Sequence, residues 1–223
     1  MANDRLRYQM SALPVTIFAH LLVVSIATLV LYWLVKLREG FAFKSTLAIK
    51  IFNLHPLLTI LGFIIFAGEA IITYKAIPVK RKALKLIHLI LHSIALATGI
   101  LGVYAVFKFH NELSYPHMCT LHSWIGLSTI CLFGLQFLLG FVTFLFPGAQ
   151  PAARAKFAPW HVFFGVVIFF MAIVTAETGL SEKFIFQNLQ HGQEALMVNF
   201  IGILILLFGI FVGLTSVLSI SIK

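Results

Sequence analysis

Four histidines are the residues of this sequence whose type and spacing could do chemistry. His55, His88, His122 and His161 lie near the starts of four consecutive apolar stretches. A neutral imidazole is a good ligand for transition metals, and an ionisable side chain inside a membrane is costly unless it has a partner. Each of these histidines therefore points to a function, and the elements that carry them decide which of them meet.

The composition excludes several classes of protein. Of the 223 residues, 61% are hydrophobic and 10% are charged, whereas a soluble domain carries about 25% charged residues. The formal net charge of +9 reflects few acidic residues and not a basic face, so a nucleic-acid partner is not expected. The two cysteines, Cys119 and Cys131, form neither a CxxC pair nor a CxxCH haem-attachment motif, which argues against thiol chemistry and covalent haem.

The apolar residues fall into six stretches, each with the roughly 20 residues that a membrane-spanning helix needs. We predict an all-α integral membrane protein, a single transmembrane domain over residues 1–223. The first stretch is too long for the apolar region of a signal peptide, so we expect it to be retained as a helix. The predicted spans are about 13–35, 53–77, 84–107, 120–146, 160–180 and 195–219.

The basic residues predict the orientation in the membrane. With six spans both termini lie on one side, and that side carries ten Lys and Arg residues against six on the other. Because cytosolic loops are enriched in Lys and Arg, we predict cytosolic termini. The ten are Arg5, Arg7, Lys75, Lys80, Arg81, Lys82, Lys85, Arg154, Lys156 and Lys223, and the six are Lys36, Arg38, Lys44, Lys50, Lys108 and Lys183.

The alternating direction of the spans predicts which histidines pair. Spans two and four begin at the outer face, which pairs His55 with His122, and spans three and five begin at the cytosolic face, which pairs His88 with His161. Helix bundles build cofactor sites from side chains on facing helices. We therefore interpret spans two to five as a four-helix haem-binding core. Two b-type haems, each with imidazole on both faces, indicate electron transfer.

Other interpretations remain open from the residues alone. His92 lies one turn beyond His88 on the same helix face and could be the ligand instead. A histidine-lined transition-metal transporter would also use these side chains, because imidazole binds zinc and copper. A membrane subunit that only anchors a partner would explain the hydrophobicity but not the two histidine layers.

A series of ordered motifs resembles the cytochrome b561 family, six-helix ascorbate-dependent transmembrane ferrireductases and monodehydroascorbate reductases. The resemblance extends from residue 52 to about residue 213 and is greatest to plant members, which makes a vacuolar or other endomembrane the expected location. The motifs are FNLHP (52–56), GEA (68–70), YK (74–75), KLIHLILH (85–92), FKFH (107–110), LHSWIG (121–126), QFLLGF (136–141), FPG (146–148) and PWHVFFG (159–165).

The resemblance implies the same haem ligands and adds a donor site on the cytosolic side. Arg81, Lys85 and Arg154 match family positions that bind ascorbate beside the inner haem, with Lys85 the expected catalytic contact. The charge supports this independently, because ascorbate is a monoanion and fixed cations raise its local concentration.

The resemblance also implies an outer acceptor site and a homodimer. Phe109 and His110 match the acceptor positions, where monodehydroascorbate or a ferric chelate would be reduced. A histidine there could act in catalysis by giving a proton to the reduced acceptor. This sequence departs from the family at Cys119, where relatives carry Tyr, and at Glu177, where they carry an uncharged residue. Because Cys119 replaces a Tyr, the polarity of the acceptor pocket is expected to differ from that of the relatives.

Overall fold

Six helices long and apolar enough to cross a membrane occur in the computed structural model, which describes residues 12–77 and 79–217. Across these residues the chain is helical apart from short connections. The predicted all-α fold with six spans is confirmed. Three of the basic residues used to predict the orientation, Arg5, Arg7 and Lys223, lie outside the described residues, as do the last positions of the sixth predicted span.

Some spans combine two kinds of helix. The first span is α1 (Ala12–Tyr32), which continues as a π-helical turn (Trp33–Leu37). The second span joins α2 (Ala48–Pro56), a π-helical segment (Leu57–Ile64) and α3 (Ile65–Ala76) without a break. The remaining four spans are α4 (Arg81–Glu112), α5 (Leu121–Phe144), α6 (Pro151–Phe186) and α7 (Gln193–Val217).

Several helices extend beyond the apolar stretches that predicted them. The fifth span was expected to begin near residue 160, but α6 begins at Pro151, which occupies its first turn. Proline is favoured there because its missing N–H would have no helical partner. Hydropathy marks only the part of a helix that lies in hydrocarbon, whereas the helix itself continues into the polar layer. Arg81, Lys85 and Arg154 consequently lie on the first two turns of α4 and α6.

The helices of the central core pack as two antiparallel pairs. The second span packs along α4, and α5 packs along α6. Helices α1 and α7 pack against each other and against the core through α3 and α6. Close approach depends on small residues, as is common between membrane helices. At Gly68 in α3, a Cβ atom would lie 2.5 Å from the ring of Phe208 in α7.

Candidate functional site

His55 and His122 face each other across the core. Their ring centres are 5.9 Å apart and the ring planes are nearly perpendicular, at 87°. His55 lies in the last turn of α2, immediately before the π-helical segment. His122 lies in the first turn of α5, whose start is set by a capping box between Thr120 and Ser123. We call this part of the bundle the His55 end.

His88 and His161 form a second pair, between α4 and α6. Their ring centres are 6.4 Å apart, with 63° between the ring planes. Both lie in the first third of their helices, which start at the end of the bundle opposite the His55 end. We call this the His88 end. The structure therefore brings the four histidines together in the two combinations that the alternation of spans predicts.

Main-chain carbonyl groups hold three of the four imidazoles. Nδ1 of His55 lies 3.0 Å from the carbonyl oxygen of Gly102. Nδ1 of His88 lies 2.8 Å from the carbonyl oxygen of Ala70, and Nδ1 of His122 lies 2.8 Å from that of Thr175. Because a carbonyl oxygen can only accept, each Nδ1 carries the proton and donates it. The Nε2 atom of each ring then keeps its lone pair, which is the state that a metal ligand requires.

Gln136 holds the fourth imidazole in a different way. Its side-chain amide nitrogen lies 2.7 Å from the main-chain oxygen of His161 and 3.1 Å from Nδ1 of the same residue. Gln136 is the first residue of the QFLLGF motif, and its sequence context predicts no role for it. The available signal was its polarity, since an amide in an apolar stretch needs a hydrogen-bonding partner.

Two glycines leave room for two of the rings. A Cβ atom at Gly179 would lie 2.6 Å from Cε1 of His122, and one at Gly140 would lie 2.8 Å from Cε1 of His161. Such distances are far inside van der Waals contact. Glycine is therefore required at both positions for the imidazoles to occupy their observed places.

His92 and His20 lie outside the two pairs. The ring centre of His92 is 4.3 Å from that of His88, but its buried Nδ1 has no hydrogen-bond partner among the described residues. It therefore lacks the carbonyl contact that orients His88. His20 places Nε2 3.1 Å from a carboxylate oxygen of Glu69, and its Nδ1 contacts the Thr16 carbonyl oxygen.

The predicted cations gather at the His88 end. The Lys85 ammonium donates to the main-chain oxygen of Phe144 at 3.4 Å, and the Phe144 ring is centred 5.2 Å from that of His161. The Arg154 side chain is half-buried near the start of α6, and Arg81 is exposed at the start of α4. Lys85 is thus separated from the imidazole pair by a single residue.

The predicted acceptor residues adjoin the His55 pair through an aromatic contact. The Phe109 ring is centred 5.0 Å from that of Phe52, which in turn lies 6.2 Å from His55. His110 donates from Nδ1 to the Pro116 carbonyl oxygen at 2.9 Å. Its ring stacks on His117 at 5.4 Å.

His117 is a residue of this surface that sequence analysis missed. It stacks on Phe107 at 4.9 Å, and its Nε2 donates to the side-chain oxygen of Asn111 at 2.8 Å. The thiol of Cys119, the position that departs from the family, is exposed and donates to the His117 carbonyl oxygen at 3.4 Å. The loop between α4 and α5 therefore adds a second imidazole beside His110.

Comparison with known proteins identifies the family. The family described as eukaryotic cytochrome b561 matches residues 54–187, a segment that contains all four paired histidines. The chain belongs to the cytochrome b561 family. Membership of the cytochrome b561 family implies haem b as the cofactor and confirms an integral, multi-pass membrane protein, as the resemblance of the motifs predicted.

Plant and animal cytochrome b561 relatives align with nearly the whole chain. A probable ascorbate-specific transmembrane electron transporter 1 of Oryza sativa subsp. japonica is 46% identical over 92% of this chain and 90% of the relative. Transmembrane ascorbate ferrireductase 1 of Arabidopsis thaliana is 44% identical over 93% and 89%. A transmembrane ascorbate-dependent reductase of Mus musculus is 35% identical over 91% and 82%.

Proposed function

We propose that this chain, as a single transmembrane domain over residues 1–223, carries electrons from cytosolic ascorbate through two b-type haems to a non-cytosolic acceptor. The acceptor is monodehydroascorbate or a ferric chelate. The relatives named as ascorbate-specific electron transporters and ascorbate ferrireductases support the donor and the class of reaction. The chain is accordingly a transmembrane oxidoreductase.

The observation that carries the proposal is the spacing of the imidazole pairs. A metal–imidazole bond of about 2 Å on each side places the two ring centres about 6 Å apart. The observed separations are 5.9 Å for His55 with His122 and 6.4 Å for His88 with His161. Both pairs therefore fit one iron between two axial ligands, and the carbonyl contacts to Nδ1 leave Nε2 free in three of the four rings.

The His55–His122 and His88–His161 pairs would hold the haems, which would supply one-electron chemistry. The side chains around the pairs have separate tasks. At the His88 end, Lys85 with Arg81 and Arg154 would attract the ascorbate monoanion and orient it against the inner pair. The Lys85 contact with Phe144, beside His161, supports this location for the donor.

At the His55 end, Phe109 and His110 would receive the acceptor. Phe52 contacts both His55 and Phe109, so aromatic rings would connect an acceptor bound at Phe109 to the outer histidine pair. His110 would donate a proton to the reduced acceptor, a role in which imidazole commonly acts. Its Nδ1 contact with Pro116 orients the ring for that role.

We further propose that the His88 end faces the cytosol, together with both termini. The excess of Lys and Arg on that side supports this orientation. A homodimer in a vacuolar or other endomembrane follows from the resemblance to plant members. The transporter alternative gains no support from geometry, because no group of three or more His, Cys, Asp or Glu side chains suited to a metal ion occurs within residues 12–77 and 79–217.

The test is haem quantification with visible difference spectra of the purified full chain, oxidised against ascorbate-reduced. We expect two b-type haems per chain, both reduced by ascorbate. His88→Ala should remove one haem, whereas His92→Ala, the matched control one turn away, should retain both. A colourless protein, or one that contains zinc or copper, would overturn the proposal. Loss of haem from His92→Ala but not from His88→Ala would reassign the inner ligand.

A further inference from the structure

A lysine is buried where the sequence suggests only a peripheral charge. Lys183 lies in the last turn of α6, at the His55 end, and is 8% exposed. Sequence analysis counted it among the outer-side cations used to predict orientation. A buried charge in a membrane helix is costly, so its retention calls for a functional explanation.

The two charged groups that interact electrostatically with Lys183, Arg38 and Glu194, form an ion pair with each other. Arg38 Nε donates to the carboxylate of Glu194, and the indole N–H of Trp33 donates to the same oxygen at 2.8 Å. Arg38 also donates to the side-chain oxygen of Gln187 at 2.9 Å. Within the part of the chain that the structure describes, no carboxylate forms an ion pair with Lys183. Arg38 and Glu194 neutralise each other, and the cluster keeps one positive charge.

The ammonium group of Lys183 lies over the ring of Phe52, which contacts His55. Nζ lies 4.7 Å from the centre of the Phe52 ring, in a cation–π contact. Phe52 is the residue that contacts both His55 and Phe109. The charge therefore lies within about 11 Å of the His55 imidazole, in surroundings where Coulomb interactions are screened less than in water.

We propose that Lys183 raises the reduction potential of the haem between His55 and His122, and so favours movement of the electron from the cytosolic side to the outer side. Reduction adds one negative charge to this site, and a fixed cation nearby stabilises the reduced state more than the oxidised one. Lys183 is a positioning residue in this scheme, because Phe52 holds its charge beside the ligand. The inference rests on the proposed function, since it requires haem at the His55 pair.

The experiment is a spectroelectrochemical titration of the purified full chain and of Lys183→Met, with the inner haem as the reference within each sample. We expect the outer haem to become harder to reduce, with the equilibrium constant for inner-to-outer transfer falling about tenfold, the effect of a unit charge near 10 Å at an effective dielectric constant of about 20. Lys183→Arg, which keeps the charge, should retain the parent potential. Lys36→Met, an exposed lysine on the first span, is the matched control.

The outcomes separate this inference from the proposed function. Two haems in Lys183→Met with an unchanged outer potential would overturn the inference alone. Equal shifts in the Met and Arg variants would also overturn it, because they would indicate a packing role. If Lys183→Met does not retain the outer haem, Lys183→Gln provides the same comparison with Lys183→Arg. A parent protein without two haems would instead contradict the proposed function.

Discussion

Three of the four paired imidazoles are oriented by main-chain atoms of small residues, and the fourth, His161, by the side chain of Gln136. The carbonyl oxygens of Gly102, Ala70 and Thr175 accept from His55, His88 and His122 respectively. Small side chains let one helix backbone approach a ring on the neighbouring helix. A carbonyl contact also persists when the side chain changes, so the orientation depends on helix spacing more than on the identity of the accepting residue.

At the donor site, one cation should control the approach of ascorbate. Lys85→Met removes the charge beside Phe144 but leaves the imidazole pairs intact. We expect both haems to be retained and reduction by ascorbate to slow about fivefold, the effect of about 1 kcal/mol of lost attraction. Stopped-flow reduction at low and high salt measures this, and the salt dependence should also weaken.

Lys82→Met is the matched control for Lys85→Met. Lys82 carries the same charge one turn earlier in α4, and its side chain is exposed. It should leave the rate of reduction near that of the parent. Equal slowing in the two variants would show that the cations act only as a diffuse positive surface.

At the proposed acceptor site, His110 should govern the rate of acceptor reduction. Since its imidazole would supply the proton to the reduced acceptor, His110→Gln should slow acceptor reduction while both haems remain. Single-turnover oxidation of the reduced protein by monodehydroascorbate measures it.

His191→Gln provides the comparison for His110→Gln, since His191 is an exposed histidine in the connection between α6 and α7. It should keep the rate of acceptor reduction of the parent. Loss of haem from His110→Gln in proportion to the loss of activity would give His110 a structural role instead.

At the scale of the helix, glycine positions should decide which haem site forms. Gly179→Ala places a Cβ atom 2.6 Å from His122, and Gly140→Ala places one 2.8 Å from His161. We expect the first variant to lose the outer haem and the second to lose the inner haem, with overpacking destabilising each by about 1–3 kcal/mol. Haem content and potentiometry of each variant distinguish the two.

Gly134→Ala tests whether any glycine in these helices would behave in the same way. Gly134 lies in α5 with Gly140, but a Cβ atom there would be 3.9 Å from its nearest neighbour, in ordinary contact. This variant should keep both haems. Loss of haem from Gly134→Ala would mean that helix flexibility, and not room for the imidazoles, explains the effect.

The pairing of elements could be predicted because it depends on periodic, local information. Apolar length identifies each span, and alternating direction brings His55 opposite His122 whatever the details of packing. Helix ends are less predictable. The start of α6 at Pro151 follows from helix geometry beyond the hydrocarbon layer, where hydropathy carries no signal.

The contacts that could not be predicted are those that single side chains make with residues of another helix or of a connecting loop. Gln136 reaches His161 on another helix, and His117 reaches His110 across a loop. Lys183 is buried because α6 continues past its apolar stretch and packs beside Phe52. A single sequence contains no record of which residues meet over such separations, so polarity alone marks these positions.

At the scale of the molecule, the native cysteines can report the orientation of the bundle. Cys119 is exposed in the α4–α5 connection at the His55 end, whereas Cys131 lies within α5, in the predicted hydrocarbon layer. In sealed vesicles with the cytosolic face outward, a membrane-impermeant maleimide should label the chain only after permeabilisation. An impermeant reagent does not enter the hydrocarbon layer, so Cys131 should stay unlabelled.

Cys119→Ser should abolish the labelling and so confirm which thiol reacts. Labelling of the parent before permeabilisation would place the His55 end in the cytosol. The donor and acceptor sites would then exchange sides, although the imidazole pairs would be unchanged.

The two imidazole pairs lie at opposite ends of one bundle, so the proposed electron transfer would move net charge across the membrane. Each electron that crosses leaves an unbalanced charge on either side, and the bilayer stores it as a capacitor does. The opposing voltage costs about 2.3 kcal/mol per 100 mV for every further electron. Sustained turnover in a closed compartment therefore requires a separate flow of ions that compensates the charge carried by the electrons.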